Sequence, residues 1–91
     1  MEPYTAKEKM RRIREFCREV ALRAQGRITY EDRELLSDLW REYVEELPPE
    51  VAEGEALAII GYPQVVRLKD IPRKILEDPL FAELIVRMYR W

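Results

Sequence analysis

The sequence predicts an all-α fold, a small helical bundle built on an antiparallel two-helix hairpin with a buried C-terminal helix. Three observations carry that prediction. Ala6, Met10, Ile13, Cys17, Val20 and Ala24 recur at steps of four and three, which places them on one seam of a helix. Leu36, Leu39, Trp40, Tyr43 and Leu47 repeat the pattern over residues 30–47. The last stretch, 78–91, is apolar over most of its circumference, and its charge after Asp78 is confined to Glu83, Arg87 and Arg90.

The first helix is punctuated at both ends. Thr5 with Glu8 three residues on makes a capping box, which satisfies amides that the first turn leaves unpaired and is worth about 1 kcal/mol at the cap. Gly26 supplies a left-handed stop after Gln25. A helix of about 20 residues is about 30 Å long and packs more simply within a bundle than as a three-heptad coiled coil. The second helix is capped by Thr29, has Asp32 at the capping-box position, and is ended by Pro48-Pro49. Leu35 and Val44 flank its apolar side, while Glu31, Glu34, Asp38, Glu42 and Glu45 cover the outer face. The short connection over 25–29 makes the two helices antiparallel neighbours.

Residues 50–68 admit two readings. Pro49 suits a first helical position, and 50–60 reads as a third helix with Val51, Ala52, Ala56, Leu57 and Ile60 available for burial. Gly54 weakens that helix by about 1 kcal/mol relative to Ala. Alternatively, 56–60 and 65–68 pair as strands around Gly61-Tyr62-Pro63-Gln64. The helix is preferred, because its surroundings are helical and an isolated two-stranded hairpin is marginal. Asp70 then caps a short helix with Pro72 near its start, and Asp78-Pro79 opens the last one.

In the last helix Leu80, Phe81, Leu84, Met88 and Trp91 form one apolar strip, and Ala82, Ile85, Val86 and Tyr89 form the other. A 91-residue fold has little core with which to cover both. The bulkier strip is assigned to the domain's own core. Ala82, Ile85, Val86 and Tyr89 are assigned to an interface with another chain.

Composition bounds the chemistry. Ninety-one residues make one domain. Without a long apolar run or an apolar N-terminal stretch, the chain is expected to be soluble and cytoplasmic. Charged residues are 37% of the chain, Arg outnumbers Lys, Glu outnumbers Asp, and there is no Asn, choices that point to a thermophilic host. The absence of His removes the usual neutral-pH base and the commonest transition-metal ligand. Cys17 sits alone on the apolar seam, where it reads as a core residue with no partner for a disulfide or a catalytic pair. The three glycines are too scattered for a phosphate loop, and the acidic face of the second helix points away from the apolar side on which a carboxylate metal site would be built. No catalytic residue, cofactor site, metal site or small-molecule ligand is expected.

Net charge is −2, but it is unevenly spread: +4 over residues 1–27, −8 over 28–58 and +2 over 59–91. Lys7, Arg11, Arg14 and Arg18 form a ridge along the first helix at steps of four, three and four. Such a ridge can meet phosphates, or it can pair with Glu8, Glu15, Glu19 and the acidic second helix. An acidic pI near 5.3 and the lack of an aromatic RNA-binding signature count against nucleic acid. The leading expectation is therefore a non-enzymatic protein–protein interaction module, either homo-oligomeric, most simply a dimer, or an accessory subunit of a larger complex. The alternative is a nucleic-acid-binding accessory protein that uses the basic ridge.

Overall fold

The computed structural model describes residues 3–24 and 27–90. Along them run α1 (Pro3–Ala24), α2 (Tyr30–Glu45), α3 (Pro49–Gly54), β1 (Ala56–Leu57), β2 (Val66–Arg67), a 3-10 turn over Leu68–Asp70, α4 (Ile71–Glu77) and α5 (Pro79–Tyr89). This is the predicted small helical bundle, with one short strand pair added to it. The strands are antiparallel, with Ala56 opposite Arg67 and Leu57 opposite Val66.

Local sequence explains most of the boundaries. The fixed φ of proline is already helical, so α1 starts at Pro3 and Thr5 lies inside its first turn; the capping box expected at Thr5 is not formed as a helix start. Gly26, the expected stop, lies outside the described residues. The capping box at Thr29 is present: the Asp32 amide donates to Thr29 Oγ1 at 3.1 Å, and the Thr29 amide donates to Asp32 Oδ2 at 3.2 Å. α2 stops at Glu45, just before the proline pair.

The preferred helix over 50–60 is corrected. α3 ends at Gly54, and the next residues extend into β1, so the strand alternative holds in shortened form. Gly54 is an unfavourable helix interior residue, and the extended chain gains ladder bonds and buries Ile59 and Val66 against the bundle. Asp70 stands before α4 as expected, but its side chain makes no cap bond, because the preceding 3-10 turn already carries the chain into the helix. Asp78 does cap α5, its Oδ1 accepting from the amides of Leu80 and Phe81.

The core lies where α1, α2, α4 and α5 meet. Ile13, Cys17 and Val20 come from α1, Leu36 and Trp40 from α2, Ile71 and Ile75 from α4, and Phe81, Ala82, Ile85 and Val86 from α5. Trp40 stands edge-on to Tyr43 and Tyr89, with ring centroids 5.6 and 5.2 Å away, a geometry worth about 0.5–1.5 kcal/mol per pair beyond the area buried. Ser37 is fully buried, and its hydroxyl donates to the Pro72 carbonyl at 2.8 Å. That carbonyl lies in the first turn of α4, so the bond ties α2 to α4 without leaving a polar group unsatisfied.

Candidate functional site

The two apolar strips of α5 are arranged opposite to the expectation from sequence. Ala82, Ile85 and Val86, assigned to an interface, have no exposed surface and belong to the chain's own core; Tyr89 is half-buried beside Trp40. None of the first three can meet a partner without unfolding the bundle, which corrects the assigned interface. In the supposed core strip, Phe81 is buried, whereas Leu80 is 50% and Met88 39% exposed and Leu84 is half-buried. Trp91 lies outside the described residues. The reason is rotational. At about 100° per residue, 81, 82, 85, 86 and 89 share one side of the helix and 80, 84, 87 and 88 the other. The bundle takes the first side because α1 and α4 both pack against α5 there.

The outward side of α5 adjoins the loop between the strands. The Tyr62 amide donates to the Ile59 carbonyl at 3.0 Å, closing a tight turn whose third residue, Gly61, has φ +95°. A positive φ at that position is the type II pattern, and glycine adopts it without the strain that a Cβ brings. A Cβ built on Gly61 would lie 3.6 Å from a methyl group of Leu84, so the turn is seated against α5. It holds Ile60 at its tip with 96% of the side chain's residue surface exposed. Ala58, Ile59, Ile60, Leu84, Arg87 and Met88 line a depression of about 410 Å³ beside it.

Below the turn a polar anchor fixes its direction. The Tyr62 hydroxyl donates to Asp78 Oδ2 at 2.6 Å, and the Tyr62 ring packs edge-on against Phe81 at 5.1 Å. The bond from Tyr62 lowers the Asp78 carboxyl below its ordinary value, and the same bond raises the Tyr62 phenol. Asp78 therefore caps α5 and holds the turn, so the two walls of the depression share one anchor.

The basic ridge lies along α1 where the sequence places it, and Arg11 makes the glutamate pairs named as one of its two uses. Lys7, Arg11, Arg14 and Arg18 all lie exposed along α1. Arg11 pairs with Glu8 and, at 3.0 Å, with Glu15. The Arg14 guanidinium lies 5.5 Å from the centre of the Tyr89 ring, and Arg18 Nε donates to the Arg90 carbonyl at 3.4 Å. Lys9, beside the ridge, reaches Glu42 of α2 at 2.9 Å. A shallow depression of about 320 Å³ lies along the ridge, lined by Ala6, Lys7, Met10, Arg11, Arg14 and Tyr43.

Cys17 is fully buried, and burial pushes its thiol up to about 12, so it stays protonated at neutral pH. Asp32, the capping-box residue expected from the sequence, is also buried, only 6% exposed. Burial raises its carboxyl, but hydrogen bonds from Arg23, at 2.7 Å, and from Thr29 outweigh this and hold it below the ordinary value. No helix among the described residues is long and apolar enough to cross a membrane. No protein-family model matches the chain, and comparison with curated proteins and with solved structures likewise finds no match.

Proposed function

We propose that the protein is a small, non-enzymatic protein–protein interaction module, and that its working surface is the apolar face made by Ile60, Leu84 and Met88. The observation that carries this reading is Ile60, 96% exposed at the tip of a tight turn and next to an apolar depression. Burying an isoleucine side chain is worth about 1.5–3 kcal/mol, which this fold leaves unused. The other exposed apolar side chains support the choice by contrast. Leu22, Tyr30, Leu35, Val65 and Leu80 do not line this depression, whereas Ile60, Leu84 and Met88 converge on it.

The nucleic-acid reading is weaker because the ridge carries its own counter-charges. Arg11 is flanked by two glutamates, so a phosphate at that point would have to displace them. An enzymatic role is less favoured, since the chain has no His, Cys17 is buried, and carboxylates, Lys, Tyr, Ser and Thr would have to do the chemistry.

The test is isolation of the tagged protein from its own cells under native conditions, beside Ile60→Asp and Met88→Glu. The wild-type chain is expected in a species larger than its 11.0 kDa, and both variants as free chains. A free 11.0 kDa wild-type chain, or a complex that both variants retain, overturns the reading.

A further inference from the structure

We infer that the partner on this face is a second copy of the same chain, docked through a two-fold axis that runs the two α5 helices antiparallel. The inference rests on the interaction reading above and goes beyond it in naming the occupant and the geometry.

A two-fold interface must be complementary to itself, because one surface meets its own copy. This face meets that condition twice. A two-fold axis lying in the interface, at right angles to α5 and level with Ile85, sets each flank of the helix against the same flank of the copy. One flank carries charge. Glu83 and Arg87 lie one turn apart on it, with opposite signs, Arg87 also bordering the depression, and neither makes an ion pair among the described residues. In the antiparallel arrangement Glu83 of each copy stands level with Arg87 of the other, so both charges are matched, and matched twice. The other flank carries shape. Ile60 projects beside Leu84, and the depression opens between the turn and Met88. The same axis brings each Ile60 over the depression of the other copy. A parallel two-fold arrangement would instead set this charged flank against the opposite flank of the copy and leave both charges unmatched.

Size sets the strength. α5 has eleven residues and is about 16 Å long, so with the turn the face is smaller than a standard specific interface and in the range of weak, transient contacts. A dissociation constant of about 1–100 μM follows rather than a nanomolar one. The charged pairs contribute orientation more than strength, because they sit at a wet rim.

The experiment is sedimentation equilibrium of the purified full chain from about 1 μM to about 1 mM, which brackets that range. The wild-type protein is expected to pass from monomer to dimer across it. Ile60→Asp is expected to weaken the dimer by about thirtyfold or more, as a central apolar anchor does. Glu83→Arg and Arg87→Glu are each expected to weaken it by about threefold to tenfold, and the double exchange to restore most of the loss. Circular dichroism on each variant checks that it is folded, and Met88→Glu gives a second probe of the same depression should Ile60→Asp disturb the turn. A wild-type chain that stays monomeric to 1 mM overturns the second copy as occupant; if it is nonetheless isolated from its cells in an Ile60-dependent complex, the interaction reading stands without it. A dimer that ignores Ile60→Asp and Met88→Glu overturns both. A dimer that is sensitive to those two but not restored by the double charge exchange overturns the antiparallel geometry.

Discussion

On one side of α5, Phe81, Ala82, Ile85 and Val86 have no exposed surface; on the other, Leu80 and Met88 keep 50% and 39% of theirs. The two sets are equally apolar, so hydrophobicity does not separate them. What separates them is what the rest of the chain brings alongside. α1 and α4 reach the first side, whereas the second is bordered, among the described residues, by the glycine turn and its flanking chain, which add an exposed isoleucine instead of covering the helix. A helix that is apolar nearly all round can thus be half core and half surface, and its surface half is where a partner gains most.

Truncation on either side of α5 separates the two faces by the largest margin. Phe81→Ala is expected to cost about 3–5 kcal/mol and Ile85→Ala about 2–5 kcal/mol, a large part of the roughly 5–15 kcal/mol that holds a domain together. Met88→Ala should cost less than about 1 kcal/mol in the monomer, because its side chain is already partly in water. Urea unfolding at low protein concentration measures all three, and equal losses on both sides would erase the distinction.

The turn offers a smaller test. Gly61→Ala finds ordinary room near Leu84 but forces a Cβ onto φ +95°, and it should cost about 1–2 kcal/mol by thermal melting. A cost near zero would mean that the turn relaxes and that Ile60 is not held in place.

The smallest effect concerns acid. Asp32 and Asp78 have folded-state values lowered below the ordinary carboxylate range, so each contributes stability that is present above the unfolded value of about 3.9 and is lost as pH falls through the folded one. Melting temperature should therefore drop steeply below about pH 4. Asp32→Asn, which cannot serve both Arg23 and the Thr29 amide, should lose about 1 kcal/mol at neutral pH and show a shallower acid limb. An unchanged acid limb would mean that Asp32 is not a source of the pH dependence.

Much of the fold was legible along the chain because its cues are local. The seam of α1, the Thr29–Asp32 box, the proline stop after α2 and the Asp78-Pro79 start of α5 each depend on residues within one or two turns of one another. The candidate surface was not legible in the same way. Ile60 looked like one more residue available for burial, and the cue that could have exposed it was Gly61 directly after it, a residue suited to the third place of a tight turn. Gly54 pointed the same way, toward an early end of α3, and was outweighed by the helical surroundings.

By itself, then, the sequence determined that the chain is helical, where most helices begin and end, and that its last helix has more apolar surface than one side can hide. Which side is hidden was settled by packing between distant segments. That choice depends on how α1 and α4 cross α5, and on a turn closed by Tyr62 and Asp78 sixteen residues apart. Periodicity gives the spacing of side chains around a helix but not the helix's rotation toward its neighbours, which is set by packing among distant segments.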